Sequence, residues 1–276
     1  MDQTVTKDDC CTASETRDDN YDLIVVGAGS AGFSASITAA DAGKRVALIG
    51  HGTTGGTCVN VGCVPSKAMI RAAEAVHGGA SAARFPGVEP CDHAVDWGAV
   101  VQGTTDLVEE MRHKKYIDLL PAYKSVTYIE DGPARLVEGG VAVGGRVISA
   151  PRVLIATGSR PHLPAIEGID TVEPLDSTDL LTLPDRPESI LVLGGGYIGC
   201  ELAQMASRLG VKVTLVTRSR LLPGAEPEVA QALTQALKAE DIAVETGLAY
   251  VSVAKAAGGV TLTVQRGGKT EDLTAE

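Results

Sequence analysis

Aromatic residues are scarce: Phe, Tyr and Trp together make up only 3% of the 276 positions. That is too few rings for a surface built to stack on nucleic-acid bases. Positive charge is also in short supply. Lys and Arg number 24 against 35 Asp and Glu, for a formal net charge of -11. Such a balance disfavours nucleic acid and anionic membranes as partners and favours solubility. No apolar run approaches the roughly 18 residues needed to cross a bilayer. Residues 1–20 are polar and acidic, without the basic-then-apolar order of a secretory leader, and read as a disordered tail. A cytoplasmic setting is the expectation. Cysteine is limited to 6 residues, too few for a disulfide scaffold, so close pairs point to catalysis or metal handling.

What is present is the composition of a globular protein, 44% hydrophobic and 21% charged. At roughly 100–200 residues per domain the length suits two domains. Asp22 to Val26 reads as a buried strand, Ser30 to Ala42 as a helix stopped by Gly43, and Arg45 to Ile49 as a second strand. Helices are expected over 64–77 and 97–119, with a loop between them. Short strands follow near 124–129, 141–143, 146–149 and 153–156. Residues 158–188, with Pro161, Pro164, Pro174, Pro184 and Pro187, have the composition of a linker. A second strand–helix–strand unit then spans Ile190 to Leu193, Tyr197 to Leu209 and Val211 to Val216. A helix over 227–240 and strands near 242–246, 250–254 and 260–265 complete the pattern.

Each strand–helix–strand unit turns on a glycine fingerprint. The first is Gly27-Ala28-Gly29-Ser30-Ala31-Gly32 and the second Gly194-Gly195-Gly196-Tyr197-Ile198-Gly199. The first glycine makes the tight turn, the second admits a pyrophosphate, and the third lets helix and strand pack closely. The phosphates then meet the unpaired N–H groups of the helix. One fingerprint is a weak signal; two in the same context indicate two dinucleotide sites. An acid at the end of the second strand normally holds a ribose hydroxyl. In the second unit that place is Thr217, followed by Arg218 and Arg220, which suits the 2′-phosphate of NADPH better than NADH. Ordinary surface arginines are the alternative. In the first unit the acid's place is Gly50, so adenosine binding there must use other groups or be weaker.

The stretch Gly55-Gly56-Thr57-Cys58-Val59-Asn60-Val61-Gly62-Cys63-Val64-Pro65-Ser66-Lys67 is the most informative. Cys58 and Cys63 can form a disulfide if one turn of chain brings them together. Cys63 stands where a helix starts, and a thiolate there is stabilised by the helix N-terminus. Lys67, one helical turn on, can add positive charge. A thiolate beside a partner thiol is what dithiol–disulfide exchange requires. A zinc site would want further Cys or His ligands close by, and only His51 is near.

These motifs, with the turn Ala156-Thr157-Gly158 and the run Gly194 to Glu201, resemble the FAD-dependent pyridine-nucleotide disulfide oxidoreductases over residues 21–276. The resemblance implies an α/β fold with two Rossmann-like nucleotide-binding domains and the C-terminal interface domain absent. It divides the chain into the tail, an FAD-binding domain over 21–160, and an NAD(P)H-binding domain over 161–276, incomplete at its C-terminus. It implies that Cys58 is the substrate-side thiol and Cys63 the flavin-side thiolate. Lys67 and Glu201 would pair near the reactive edge of the flavin. Gly56, Thr57 and Gly158 would touch FAD, and Tyr197 would cover the nicotinamide pocket. Flanking residues, Ala68 to Ala73 and Glu110 to Tyr116, look most like the members that reduce mercuric ion. Soft thiolates of Cys58 and Cys63 would then ligate Hg(II), with FAD and NADPH as cofactors and a homodimer as the assembly of the full-length protein. The alternatives are a dihydrolipoyl dehydrogenase or related thiol reductase, acting on a small disulfide, and a nucleotide-binding fragment without turnover.

Other residues carry less. Cys10 and Cys11 could deliver a soft metal ion from the tail, although such cysteines are more often incidental. Cys200 reads as a core residue. Cys91 and His93 read as surface loop, and His77, His113 and His162 have no acid partner that the sequence reveals.

Overall fold

Leu23–Val26 (β1) and Val46–Ile49 (β2) are short runs of β-prone aliphatics; all of β2 and the centre of β1 are buried, and Leu23 and Val26 are half-buried. Strands this apolar belong inside a parallel sheet with both faces covered. The computed structural model in which they sit describes residues 20–276. Apart from Asn20, the expected tail lies outside the described residues, and Cys10 and Cys11 lie there with it. The described residues form two compact units, one running to His51 and again over Tyr123–Ala156, the other comprising Gly52–Ala122 and Thr157–Glu276.

In the first unit, Ser30–Asp41 (α1) joins β1 to β2. It ends where expected. Gly43 takes a left-handed conformation (φ 74°), and its N–H and that of Lys44 reach back to the carbonyls of Ala40 and Ala39. Val126–Ile129 (β3), Arg135–Val137 (β4), Gly140–Val143 (β5), Arg146–Ile148 (β6) and Val153–Ile155 (β7) follow. The four strands β3, β2, β1 and β7 lie in that order, all parallel, with Leu48 opposite Tyr128 and Ile49 opposite Ile129. β4, β5 and β6 form an antiparallel meander. Its Val141, Val143 and Ile148 join Ile24, Ala47, Ile49 and Ile129 in one core. Burying each large aliphatic side chain there contributes about 1.5–3 kcal/mol. β4 was not expected from the sequence; its three residues are exposed, so no hydrophobic alternation marks it.

The second unit begins with two helices in quick succession, Gly56–Asn60 (α2) and Cys63–Ala80 (α3), then Trp97–Arg112 (α4). The helix expected to run on to residue 119 changes instead to a π-helical turn over His113–Ile117. Ser177–Thr182 (α5) is a helix inside the stretch expected to be linker. Asp176 caps it, Asp179 returns the bond to the Asp176 N–H, and Leu180 and Leu181 are buried. Ser189–Leu193 (β8), Tyr197–Arg208 (α6), Lys212–Val216 (β9), Pro227–Ala239 (α7) and Ala243–Glu245 (β10) build a second parallel sheet in the order β10-β9-β8. Ala249–Ala256 (β11), Gly259–Arg266 (β12) and Lys269–Ala275 (β13) form an antiparallel meander. The core of this unit unites Met69 and Ala73 of α3, Trp97 and Val101 of α4, and Leu202, Ala203 and Met205 of α6. The architecture is mixed α/β with two parallel sheets.

Candidate functional site

The two glycine fingerprints have the same local geometry. Gly27 N–H donates to the Ile49 carbonyl at 2.8 Å, and Gly194 N–H donates to the Val216 carbonyl at 2.8 Å. Each bond ties the turn to the last residue of the neighbouring strand. Gly29 and Gly196 cap α1 and α6 with extended backbone, and neither helix has a side-chain cap. A glycine at each N-cap brings no side chain of its own to the first-turn N–H groups of the helix, which is the arrangement that suits a phosphate there. The third glycine is obligatory in both. A β-carbon on Gly32 would lie 1.8 Å from the Gly27 carbonyl oxygen, and one on Gly199 would lie 2.0 Å from that of Gly194. The residues present therefore fit a dinucleotide at each turn.

Around the second fingerprint the loop after β9 is held tightly. Thr217 is buried, and Leu222 has a left-handed backbone (φ 43°) with its N–H on the Gly195 carbonyl at 2.7 Å. Tyr250 donates its hydroxyl to the Val216 carbonyl at 2.9 Å. Burial pushes the Tyr250 phenol up, and the charge of Arg218 pulls it part of the way back. Arg218 is exposed. Arg220 is not its twin. One Nη of Arg220 donates to the carbonyls of Pro223 and Ala225, while the other is buried without a partner. Tyr197 and Ile198 are 71% and 63% exposed at the start of α6, a costly position for large apolar side chains unless something covers them.

The cysteine segment is a helix–turn–helix of minimum length. Cys58 is on α2, half-buried, and Cys63 is the exposed first residue of α3. Gly62 caps α3, again without a side-chain cap, so the positive end of an 18-residue helix is presented at Cys63. A β-carbon on Gly62 would come within 2.9 Å of the Thr57 carbonyl oxygen, so glycine lets the second helix fold back against the first. Pro65 falls in the first turn of α3, where its missing N–H costs no helical bond.

Asn60 carries more than the sequence revealed. Its side-chain amide donates to the carbonyls of Thr54 and Gly56, both at 2.9 Å, and accepts from Arg112 of α4 at 3.1 Å. Asn60 thus stitches the approach to α2, and Arg112 anchors the stitch to a long helix. Lys67, one turn beyond Cys63, pairs with Glu201 of α6 at 2.5 Å. Both side chains are about half exposed, so this pair fixes position more than it adds stability. A cleft of about 430 Å³ lies beside it, lined in part by Arg71, Gln204 and Arg208.

Cys200 is buried, with its thiol directed at the Gly195 carbonyl. Burial, and then the charge of Glu201, pushes that thiol up, which suits a core residue and not a nucleophile. Cys91 and His93 are exposed, as expected, and no cluster of three metal-ligating side chains occurs among the described residues. His77 and His113 do have acid partners, Glu240 and Asp118, each at 3.8 Å. Both pairings depend on the fold and were invisible in the sequence. Thr157 and Gly158 follow β7 and are exposed, with Gly158 at φ 72°.

The model of the pyridine nucleotide-disulphide oxidoreductases matches residues 21–275. A mercuric reductase of Streptomyces lividans is 42% identical over 252 residues, which is 88% of this chain and 52% of the relative. One of Staphylococcus aureus is 38% identical over 261 residues, covering 94% and 47%. The chain spans about half the length of the curated relatives it matches. Among solved structures, the HOCl-induced flavoprotein disulfide reductase RclA from Escherichia coli superposes with a TM-score of 0.77 at 27% identity, covering 92% of this chain and 54% of that one. No helix among the described residues is long and apolar enough to cross a membrane. With its family model matched across both units, the chain belongs to the pyridine nucleotide-disulphide oxidoreductases.

Proposed function

We propose that this chain carries the catalytic core of an NADPH-dependent flavoprotein that reduces Hg(II) to Hg(0). The observation that carries the reading is the presentation of Cys63, exposed at the uncapped start of α3, with Cys58 on the short helix just before it. The identity to mercuric reductases supports the substrate.

Each parallel sheet is read as a Rossmann-like nucleotide-binding layer. In the first unit Gly27, Gly29, Ser30, Ala31 and Gly32 would hold the pyrophosphate of FAD, and the family resemblance assigns FAD contacts to Gly56, Thr57, Thr157 and Gly158 as well. Gly194, Gly196 and Gly199 would hold that of NADPH. Arg218 would take the 2′-phosphate, and Arg220, bonded to the Pro223 and Ala225 carbonyls, would hold the loop that presents it. Tyr197 and Ile198 would cover the nicotinamide. When bound, the two cofactors would supply a hydride from NADPH and a flavin relay for its two electrons.

The chain's own residues do the rest. Cys58 and Cys63, as thiolates, would ligate Hg(II), a soft ion that sulfur prefers to oxygen or nitrogen. The uncapped start of α3 would place its first-turn N–H groups beside the Cys63 sulfur. Lys67 would hold a positive charge one turn away, oriented by Glu201. Asn60 and Arg112 would fix the spacing of the two sulfurs by fixing α2. Two electrons convert Hg(II) to Hg(0), which no longer binds thiolate strongly and leaves.

NADPH oxidation on addition of Hg(II), compared with a lipoamide or glutathione disulfide, tests the reading. Hg(II)-dependent turnover that vanishes in Cys58→Ser and Cys63→Ser is the expected result. Faster turnover of a disulfide would favour a thiol reductase. A protein that takes up no flavin would be a nucleotide-binding fragment. The homodimer is carried over from the family resemblance and the cytoplasmic setting from the sequence, and the mass in solution tests the first of them.

A further inference from the structure

The first nucleotide site lacks the acid that normally ends its second strand, and the structure points to a substitute just past the end of the next strand. We propose that Glu130, set in place by Tyr128, binds the ribose hydroxyls of the adenosine half of FAD. The inference rests on the reading of Gly27–Gly32 as an FAD site.

The space is already filled. A β-carbon on Gly50 would meet the Tyr128 hydroxyl at 2.3 Å, with the ring carbons at 2.8 and 2.9 Å. A side chain at position 50 would have to push the Tyr128 ring aside. The reason is register. β2 and β3 are parallel neighbours with Leu48 opposite Tyr128 and Ile49 opposite Ile129, and Gly50 N–H donates to the Ile129 carbonyl at 2.9 Å. One step on, Glu130 is the neighbour of Gly50 at the carboxyl end of the sheet. Residues 48 and 50 share one face with 128 and 130, since side chains alternate along a strand. That face is the α1 side, because the Tyr128 ring lies 6.3 Å from the ring of Phe33 on α1.

The tyrosine therefore places a hydroxyl where the missing side chain would begin. It also donates that hydroxyl to a Glu130 carboxylate oxygen at 2.9 Å. Glu130 itself is exposed, and a carboxylate offers two oxygens with about four acceptor sites between them. Nucleotides bind at the carboxyl ends of parallel strands, beside the glycine turn. The Gly27 turn is tied to Ile49, the residue directly before Gly50. A carboxylate delivered from β3 thus reaches the same end of the same sheet as one carried by β2.

FAD affinity of the full chain, read by quenching of flavin fluorescence, tests this without turnover. FAD is compared with an analogue lacking the 2′-hydroxyl of the adenosine ribose, and with FMN, which lacks the adenosine half. The wild-type chain is expected to favour FAD over the deoxy analogue. Glu130→Gln should weaken FAD about tenfold, the loss expected for a hydrogen bond to a charged group, and should erase the preference while leaving FMN unchanged. Tyr128→Phe should weaken FAD by a smaller factor. Gly50→Glu combined with Tyr128→Ala and Glu130→Gln returns the acid to β2 and should restore the preference. Unchanged FAD affinity and preference in Glu130→Gln would overturn the assignment of Glu130 alone. A wild-type chain that binds no FAD would overturn the FAD reading of the first fingerprint, and the assignment with it.

Discussion

Arg218 and Arg220 stand two residues apart after β9, yet their surroundings separate them. Arg218 is exposed and acts on its neighbourhood only through charge, as its pull on Tyr250 indicates. Arg220 spends part of its guanidinium on the carbonyls of Pro223 and Ala225, which closes the loop that carries Leu222 back to Gly195. Replacing Arg218 by Ala should therefore raise KM for NADPH about tenfold and leave NADH kinetics unchanged, because only the phosphate contact is lost. Replacing Arg220 by Ala should weaken both cofactors and lower stability by about 1–3 kcal/mol, because loop carbonyls lose their donors. Steady-state kinetics with both cofactors, beside thermal unfolding, separates the two outcomes. At this scale the sequence identified the arginines but not their division of labour. The spacing of Arg218 and Arg220 is visible in the chain, whereas which carbonyls Arg220 reaches depends on the loop's fold. Asn60 and Glu130 were missed for the same reason. Each acts through a residue far away in sequence or through a cross-strand register.

Between elements, one dense polar link among the described residues is the cluster at the end of α7. Glu240 accepts two bonds from Arg208 at 2.6 and 2.7 Å and one from Gln204 at 2.8 Å, both on α6, and faces His77 of α3 at 3.8 Å. Burial pushes the Glu240 carboxyl up, but the bond and charge of Arg208, with His77 and Gln204, outweigh it and hold the group below the ordinary carboxylate value. A folded-state pKa below the unfolded one adds stability above the unfolded value, about 4.3, that is lost as pH falls through the folded value. Glu240→Gln should thus cost about 1–3 kcal/mol near pH 7. The gap to wild type should narrow as pH falls below about 4.3 and close only once pH has passed below the lowered folded value, where the wild-type carboxyl is protonated as well. Urea unfolding at a series of pH values measures it, and a gap that persists into acid would assign the cost to packing. The elements joined here were legible in the sequence, since β8, α6 and β9 have clean apolar periodicity and a glycine turn. α5 was obscured by the prolines around it, although Asp176 and Asp179 were there to be read as a capping box. β13 is hidden because most of its residues are exposed and charged or polar, so pairing with β12 and not burial defines it.

For the molecule as a whole, the repeated strand–turn–helix unit makes a prediction about independence. One copy lies in each compact unit, and each has its own close approach of helix to strand. Ala at position 32 brings its β-carbon to 1.8 Å from a backbone carbonyl within the first unit, and Ala at 199 does the same at 2.0 Å within the second. Backbone on both sides leaves no flexible side chain to yield, so α1 or α6 must shift off its strand, at a cost of about 1–3 kcal/mol. The shift would also displace the N–H groups proposed to face the pyrophosphate. A ligand at 100 times its Kd stabilises a protein by about 2.7 kcal/mol, enough to read as a shift in Tm. Gly32→Ala should abolish the shift with FAD and retain that with NADPH, and Gly199→Ala should do the reverse. Loss of both shifts in either variant would mean that the two sites are built as one and that the duplication seen in the chain does not extend to its binding energetics.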